Sequence, residues 1–159
     1  MGLILVSPVF EPNGPIPQRY TGDGEDLSPP LHIGNISSNT VELALIVEDP
    51  DAPQPEPWIH WVVYRIPADT QGLPEGIEAI ERPREAPLIE QGQNSWGTIG
   101  YRGPAPPRGH GVHHYHFRLF ALRDSPDVRG PLGSDDLRRA MQGLILEETD
   151  LVGTYERRK

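Results

Sequence analysis

Four polar residues stand at the ends of apolar rows: Asp49, His60, His113 and Tyr115. A carboxylate, two imidazoles and a phenol supply acceptors, titratable rings and a hydroxyl donor, a set suited to holding an anion, moving a proton or ligating a metal. Asp49 follows Val41, Leu43, Leu45 and Val47 at the two-residue spacing of one strand face. It opens the turn Asp49-Pro-Asp-Ala-Pro53, in which Asp51 is an Asx-turn residue or a second site carboxylate. His60 lies in the run 59–66 and lines up by alternation with Val62, Tyr64 and Ile66, with Trp58 just before it. Both faces of that run are apolar, so alternation leaves its inward side open. His113 and Tyr115 lead Phe117, Leu119 and Ala121 along a third face, with His114, His116 and Arg118 on the opposite one. Three strands thus deliver four polar groups to one inward surface, where burial demands partners or a ligand.

Several chemistries fit such a set. In an anion site, Asp49 would orient one histidine and favour its charged form, leaving imidazolium and the Tyr115 hydroxyl as donors, with tighter binding at mildly acid pH. The same carboxylate would alternatively meet a cationic group on the ligand. The stiff Gly/Pro stretch from Gly100 to Gly111 would give a fixed rim whose main-chain N–H groups approach an anion closely. A hydrolase would pair Asp49 with a histidine and use Ser95 or water as nucleophile, yet the chain has no Gly-x-Ser-x-Gly elbow. A divalent metal site would use His60, His113 and Asp49, without a helical His pair or second acidic cluster to complete it. The reading is a binding or regulatory protein rather than an enzyme, with no cofactor and no metal.

The elements that must position these residues are mainly strands. Apolar runs are short, alternate, and end in Pro, Gly, Asn or Asp. The stretch 10–30, rich in Pro and Gly, should wrap the core as irregular chain, and a second irregular stretch runs from Gly72 to Gly97. One helix is expected, because Leu137, Ala140, Met141, Leu144 and Ile145 share a face; Ser134 is its expected N-cap and Gly143 weakens its middle, before a final short strand at 151–155. At 159 residues the chain is one domain, 1–159, long enough to bury roughly 68–70% of its unfolded surface. The net charge of −9 makes nucleic acid and anionic membrane poor partners. With no Cys there is no disulfide framework and no thiolate site. Neither a signal peptide nor a spanning segment is visible, so a cytoplasmic protein without stable membrane anchoring is expected.

Two long motifs carry a resemblance. Asp49-Pro-Asp-Ala-Pro53 followed by Trp58-Ile-His60-Trp61, and Gly100-Tyr-Arg-Gly-Pro-Ala-Pro-Pro107 running on to Gly111-Val-His113-His-Tyr115, resemble the phosphatidylethanolamine-binding protein family, which includes the Raf kinase inhibitor protein. Tyr20-Thr-Gly-Asp-Gly24, Ser28-Pro-Pro-Leu31, Asn94-Ser-Trp-Gly97 and Gly153-Thr-Tyr155 look like its prokaryotic branch, so the resemblance spans nearly the whole chain. It implies an antiparallel Greek-key, β-sandwich-like core with a short C-terminal helix and a pocket for phosphate-bearing or other anionic head groups. Carried over residue by residue, the pocket is Asp49, His60, Pro107, His113 and Tyr115, lined by Trp58, Gly103, Ala105 and Pro106, with Asp51 a further candidate contact. Ala105 stands where many prokaryotic-type members have Cys, which removes a metal- or redox-related role from that loop. The resemblance also implies modulation of a protein kinase or protease, and a homodimer as in some prokaryotic-type members. The chain stops at Lys159 without the extra C-terminal helix of animal members, so the animal kinase contact is not expected.

Overall fold

Short apolar runs punctuated by Pro, Gly and Asp become strands because only there do alternating side chains find a buried face. The computed structural model describes residues 2–157, so Met1, Arg158 and Lys159, the ends of the expected domain, lie outside the described residues. Strands β1 (Ile4–Val6), β2 (Leu31–Gly34) and β5 (Gly72–Leu73) form a three-stranded antiparallel sheet in the order β1-β2-β5. Strands β3 (Glu42–Asp49), β4 (Trp58–Pro67), β6 (Glu90–Gln91), β7 (His113–Leu122) and β8 (Ile145–Tyr155) form the second, in the order β6-β4-β3-β7-β8. Within it β3, β4 and β6 are successive antiparallel neighbours, and β7 returns to the far side of β3, which is the Greek-key connection. Among the described residues no helix is long and apolar enough to cross a membrane.

Both faces of the large sheet are covered. Leu43, Leu45 and Val47 of β3 pack with Trp61, Val63, Phe117 and Leu119 against Leu5, Ile33 and Leu73 of the small sheet. Their neighbours Ala44 and Ile46 face the other way, joining Val62, Tyr64, Phe120 and Leu122 under Leu137 and Met141 of helix α1 (Ser134–Met141). Each large side chain buried in these layers contributes about 1.5–3 kcal/mol. The stretch 10–30 wraps the core with one 3-10 turn, Gln18–Tyr20, and buries Phe10, Ile16 and Tyr20. The stretch from Gly72 to Gly97 is irregular apart from β5 and β6.

The helix departs from expectation at both ends. Gly133, not Ser134, is the N-cap, and no side chain caps it; Ser134 is the first helical residue. Asp135 and Asp136 occupy the first turn, where the helix dipole favours them. At the other end Gly143 does not weaken a helix but follows its stop. Its φ of +79° reverses the chain, and Ile145 then pairs with Leu122 as the first residue of β8. Ile145 is therefore an exposed strand residue, and the expected short last strand is the end of an eleven-residue one.

Strand β4 breaks simple alternation twice. Its register against β3 shifts between Val47↔Trp61 and Glu48↔Ile59, which leaves His60 as an extra residue opposite nothing. A second shift leaves Tyr64 and Arg65 opposite Ala44, with Arg65 at φ +59°. His60 consequently projects on the Trp61 side, toward the space between the sheets, while Val62 and Tyr64 face α1 and Ile66 returns to the sandwich interior. Alternation had grouped His60 with Val62, Tyr64 and Ile66; the bulges overturn that grouping.

Candidate functional site

Strand ends β3, β4 and β7 meet at one rim of the sandwich, and a cavity of about 280 Å³ opens there. Asp49, Trp58, His60, Ala105, Pro106, Pro107, His113 and Tyr115 line it, as do Ala52, Pro53, Gln54 and Trp96. The antiparallel register explains the meeting: Asp49 pairs with Trp58, and Glu48 with His116, so the last inward residue of β3 falls beside the first inward residues of β7.

At the cavity floor, Asp49 Oδ2 accepts a hydrogen bond from His113 Nδ1 at 2.6 Å, with both side chains almost wholly buried. Asp49 Oδ1 accepts the Asp51 N–H at 2.8 Å, so Asp49 is itself the Asx-turn residue. The far nitrogen of His113, Nε2, lies 2.6 Å from Nδ1 of His110. His60 Nδ1 sits 2.6 Å from the Arg102 carbonyl oxygen. A carbonyl has no proton to give, so His60 Nδ1 carries the hydrogen and donates, and Nε2 is left with a lone pair. Burial drives the His60 pKa down to about 4, outweighing the Arg102 carbonyl and the Asp49 charge, which favour the cation. Tyr115 is 1% exposed, and among the described residues its hydroxyl has no hydrogen-bond partner. Burial first, then the charges of Asp49 and Asp51, raise its pKa, so the phenol keeps its proton.

Aromatic edges fix the walls. The His60 ring stands edge-on to Tyr115 and to Trp96, each with ring centroids 5.1 Å apart, and Trp58 meets Trp96 at 5.4 Å. Trp96 reaches this wall because buried Asn94 folds its loop: Asn94 Oδ1 accepts the Trp96 and Thr98 N–H groups, and Nδ2 donates to the Gly100 carbonyl. Arg102 covers the ring, its guanidinium carbon 4.9 Å from the centroid.

Two residues expected at the pocket lie elsewhere. Gly103 sits behind it, donating its N–H to Asp26 Oδ1 at 2.7 Å, and a Cβ there would overlap the Tyr20 carbonyl oxygen. Asp51 turns outward, where its carboxylate accepts the His114 N–H and faces His114 Nδ1 at 2.7 Å. The N–H groups of Gly103, Gly109 and His110 are already bonded, to Asp26, the Arg157 carbonyl and the Pro107 carbonyl, so the rim gives fewer free donors than its glycines promise. Ser95, the nucleophile of the hydrolase alternative, accepts the Ile59 N–H on Oγ at 2.7 Å and lines a neighbouring cleft. Among the described residues no three His, Cys, Asp or Glu side chains are grouped to hold a metal ion. Trp96, Gln54 and His110 were not singled out from the sequence. Trp96 stood in the Asn94-Ser-Trp-Gly97 motif, whereas His110 had no apolar row to mark it.

Comparison with known proteins agrees with this fold. A family model described as phosphatidylethanolamine-binding protein matches residues 6–156. A UPF0098 protein of Pyrococcus horikoshii is 44% identical over 155 residues, covering 98% of this chain and 77% of that protein. One from Methanothermobacter thermautotrophicus is 44% identical over 153 residues, covering 96% and 98%. Among solved structures, a phosphatidylethanolamine-binding protein homologue from Chlamydia trachomatis superposes with a TM-score of 0.88 at 34% identity, covering 98% of each chain. The E. coli protein YbcL matches with the same TM-score at 27% identity, covering 98% of this chain and 99% of its own.

Proposed function

Because the chain belongs to the phosphatidylethanolamine-binding protein family, we propose that it is a small-ligand binding protein whose cavity takes a phosphate-bearing head group. The observation that carries this reading is a pair of polar groups lining the cavity with no hydrogen-bond partner among the described residues: the Tyr115 hydroxyl, held as a donor, and His60 Nε2, held as an acceptor. A donor and an acceptor side by side at one cavity favour a ligand that both accepts and donates. A singly protonated phosphate or phosphate monoester does both, its oxygen accepting from Tyr115 and its P–OH donating to His60. A monoester dianion lacks the proton His60 requires, whereas inorganic phosphate keeps a P–OH at both pH 6 and pH 8. Because the second pKa of a phosphate monoester is about 6, monoester affinity should be higher at pH 6 than at pH 8, and His60 stays an acceptor down to about pH 4. The Asp49 carboxylate is compatible with an anion close by, since both of its oxygens already accept hydrogen bonds.

The test is an NMR titration of the ring resonances with inorganic phosphate and O-phosphorylethanolamine at pH 6 and pH 8. Saturable shifts at His60 and Tyr115, stronger at pH 6 for O-phosphorylethanolamine and weakened about tenfold by Tyr115→Phe, are the expected result. No shift at millimolar ligand overturns the phosphate assignment. Equal affinity of O-phosphorylethanolamine at both pH values overturns the requirement for a ligand proton.

A further inference from the structure

In this structure both nitrogens of the His113 ring are held inside the protein, Nδ1 by Asp49 and Nε2 by His110, each at 2.6 Å. His113 therefore presents only ring carbon to the cavity it lines. The two contacts differ in kind. Asp49 is buried at the end of β3, whereas His110 is exposed at the tip of the rim loop. Gly109 and Gly111 flank it, both in the left-handed region at φ +72° and +92°. Nothing lies within 4 Å of where a Cβ on Gly111 would be, so the tip is loosely packed. The base of the loop is fixed: the Gly109 N–H donates to the Arg157 carbonyl at 2.9 Å, and Arg157 pairs with Asp23 at 2.6 Å. A backbone tied down at Gly109 and His110, an exposed ring and one side-chain hydrogen bond into the site describe a latch.

We infer that His110 is a displaceable gate: its ring occupies the one His113 nitrogen able to serve an incoming oxyanion, and ligand binding requires it to swing out. This inference rests on the pocket reading above and adds a competitor to it. At 2.6 Å one of the two facing nitrogens carries the proton, since two lone pairs or two N–H groups would repel. Whichever it is, His113 Nε2 is unavailable until His110 leaves. Asp49 holds the Nδ1 hydrogen of His113, so the ligand oxygen that takes the place of His110 either accepts from a protonated Nε2 or donates a second P–OH to a bare one, while Tyr115 and His60 hold the same phosphate. The gate thus sets affinity and access without touching the bound ligand.

The experiment compares wild type with His110→Ala, an exposed and structurally tolerant substitution, in titrations with inorganic phosphate. Removing the competitor should tighten phosphate binding by about three- to tenfold, the release of one hydrogen bond. The same substitution made on a His113→Ala background should change nothing. A second measurement avoids any folding defect of His113→Ala: in wild type labelled with nitrogen-15 at histidine, the coupling across the His110–His113 hydrogen bond should vanish in step with the phosphate-induced shift of His60. Unchanged or weaker phosphate binding by His110→Ala overturns the gate. So does a His110–His113 coupling that survives saturation, and in both cases shifts at His60 and Tyr115 would leave the pocket reading standing. If phosphate moves neither His60 nor Tyr115 in either protein, the pocket reading falls and the gate with it.

Discussion

Asp49 with His113 and Asp51 with His114 are the same two residue types, joined through the same atoms at 2.6 and 2.7 Å, and their histidines are neighbours on β7. Only the face differs. The inner pair is 5% and 2% exposed, the outer pair 41% and 50%. Outside, water screens the charges and competes for the hydrogen bonds, so the pair is a weak clasp on the turn after β3. Inside, neither partner has water to fall back on, and removing one strands the other. What turns an Asp–His pair into part of a site is the layer of protein over it. The same alternation appears one residue earlier on β3. Burial pushes Glu48 up, but hydrogen bonds and charges from Arg138 and Arg118 outweigh it and hold its carboxyl below the usual range. That carboxylate is held by the guanidiniums of Arg118 and Arg138, whereas Asp49, its neighbour, is held by the His113 ring beside the cavity.

The largest effect expected from this contrast is on Asp49→Ala, which should lose about 3–5 kcal/mol in urea unfolding at pH 7 by leaving His113 buried without its acceptor. A loss no greater than that of Asp51→Ala would break the comparison. Next comes the pH dependence of His60. Its folded pKa is about 4 against 6.5 for the free side chain, so between those values the unfolded chain binds a proton that the folded protein refuses. This contribution is fully present above about pH 6.5 and is lost as the pH falls to 4, a change of about 3 kcal/mol. Unfolding of wild type and His60→Phe across pH 4–7 should therefore show their stability difference shifting in favour of the variant as the pH drops; a constant difference would sink the account of a buried neutral imidazole. A smaller effect, about 1–3 kcal/mol, is expected for Gly103→Ala, because the new Cβ meets the fixed Tyr20 carbonyl rather than a movable side chain. The smallest is Asp51→Ala itself, below about 1 kcal/mol. Chemical denaturation of all four proteins at one pH ranks them on a single scale.

Much of this was legible from residue order. Period-two rows marked β3 and β7, and with them the inward direction of Asp49, His113 and Tyr115, because the opposite row of each carries charged or polar residues, Glu42 and Glu48 on β3 and His114, His116 and Arg118 on β7. Pro and Gly punctuation marked the loops, and long motifs identified the family. Three features were not legible, each for a physical reason. The bulge at His60 is a mismatch between two strands and has no signature in either alone; alternation placed that ring among residues that face α1. Gly143 as a helix stop rather than a weak point depended on β8 capturing Ile145 onward, a long-range pairing that outweighs local helical periodicity. His110 beside His113, and Trp96 beside His60, are meetings of loops with strands, set by Asn94, Arg157 and the packed rim rather than by spacing. The sequence by itself determined which chemical groups the strands carry inward. Tertiary structure decided their states, since tautomer, charge and partner depend on what each buried atom finds within hydrogen-bond reach.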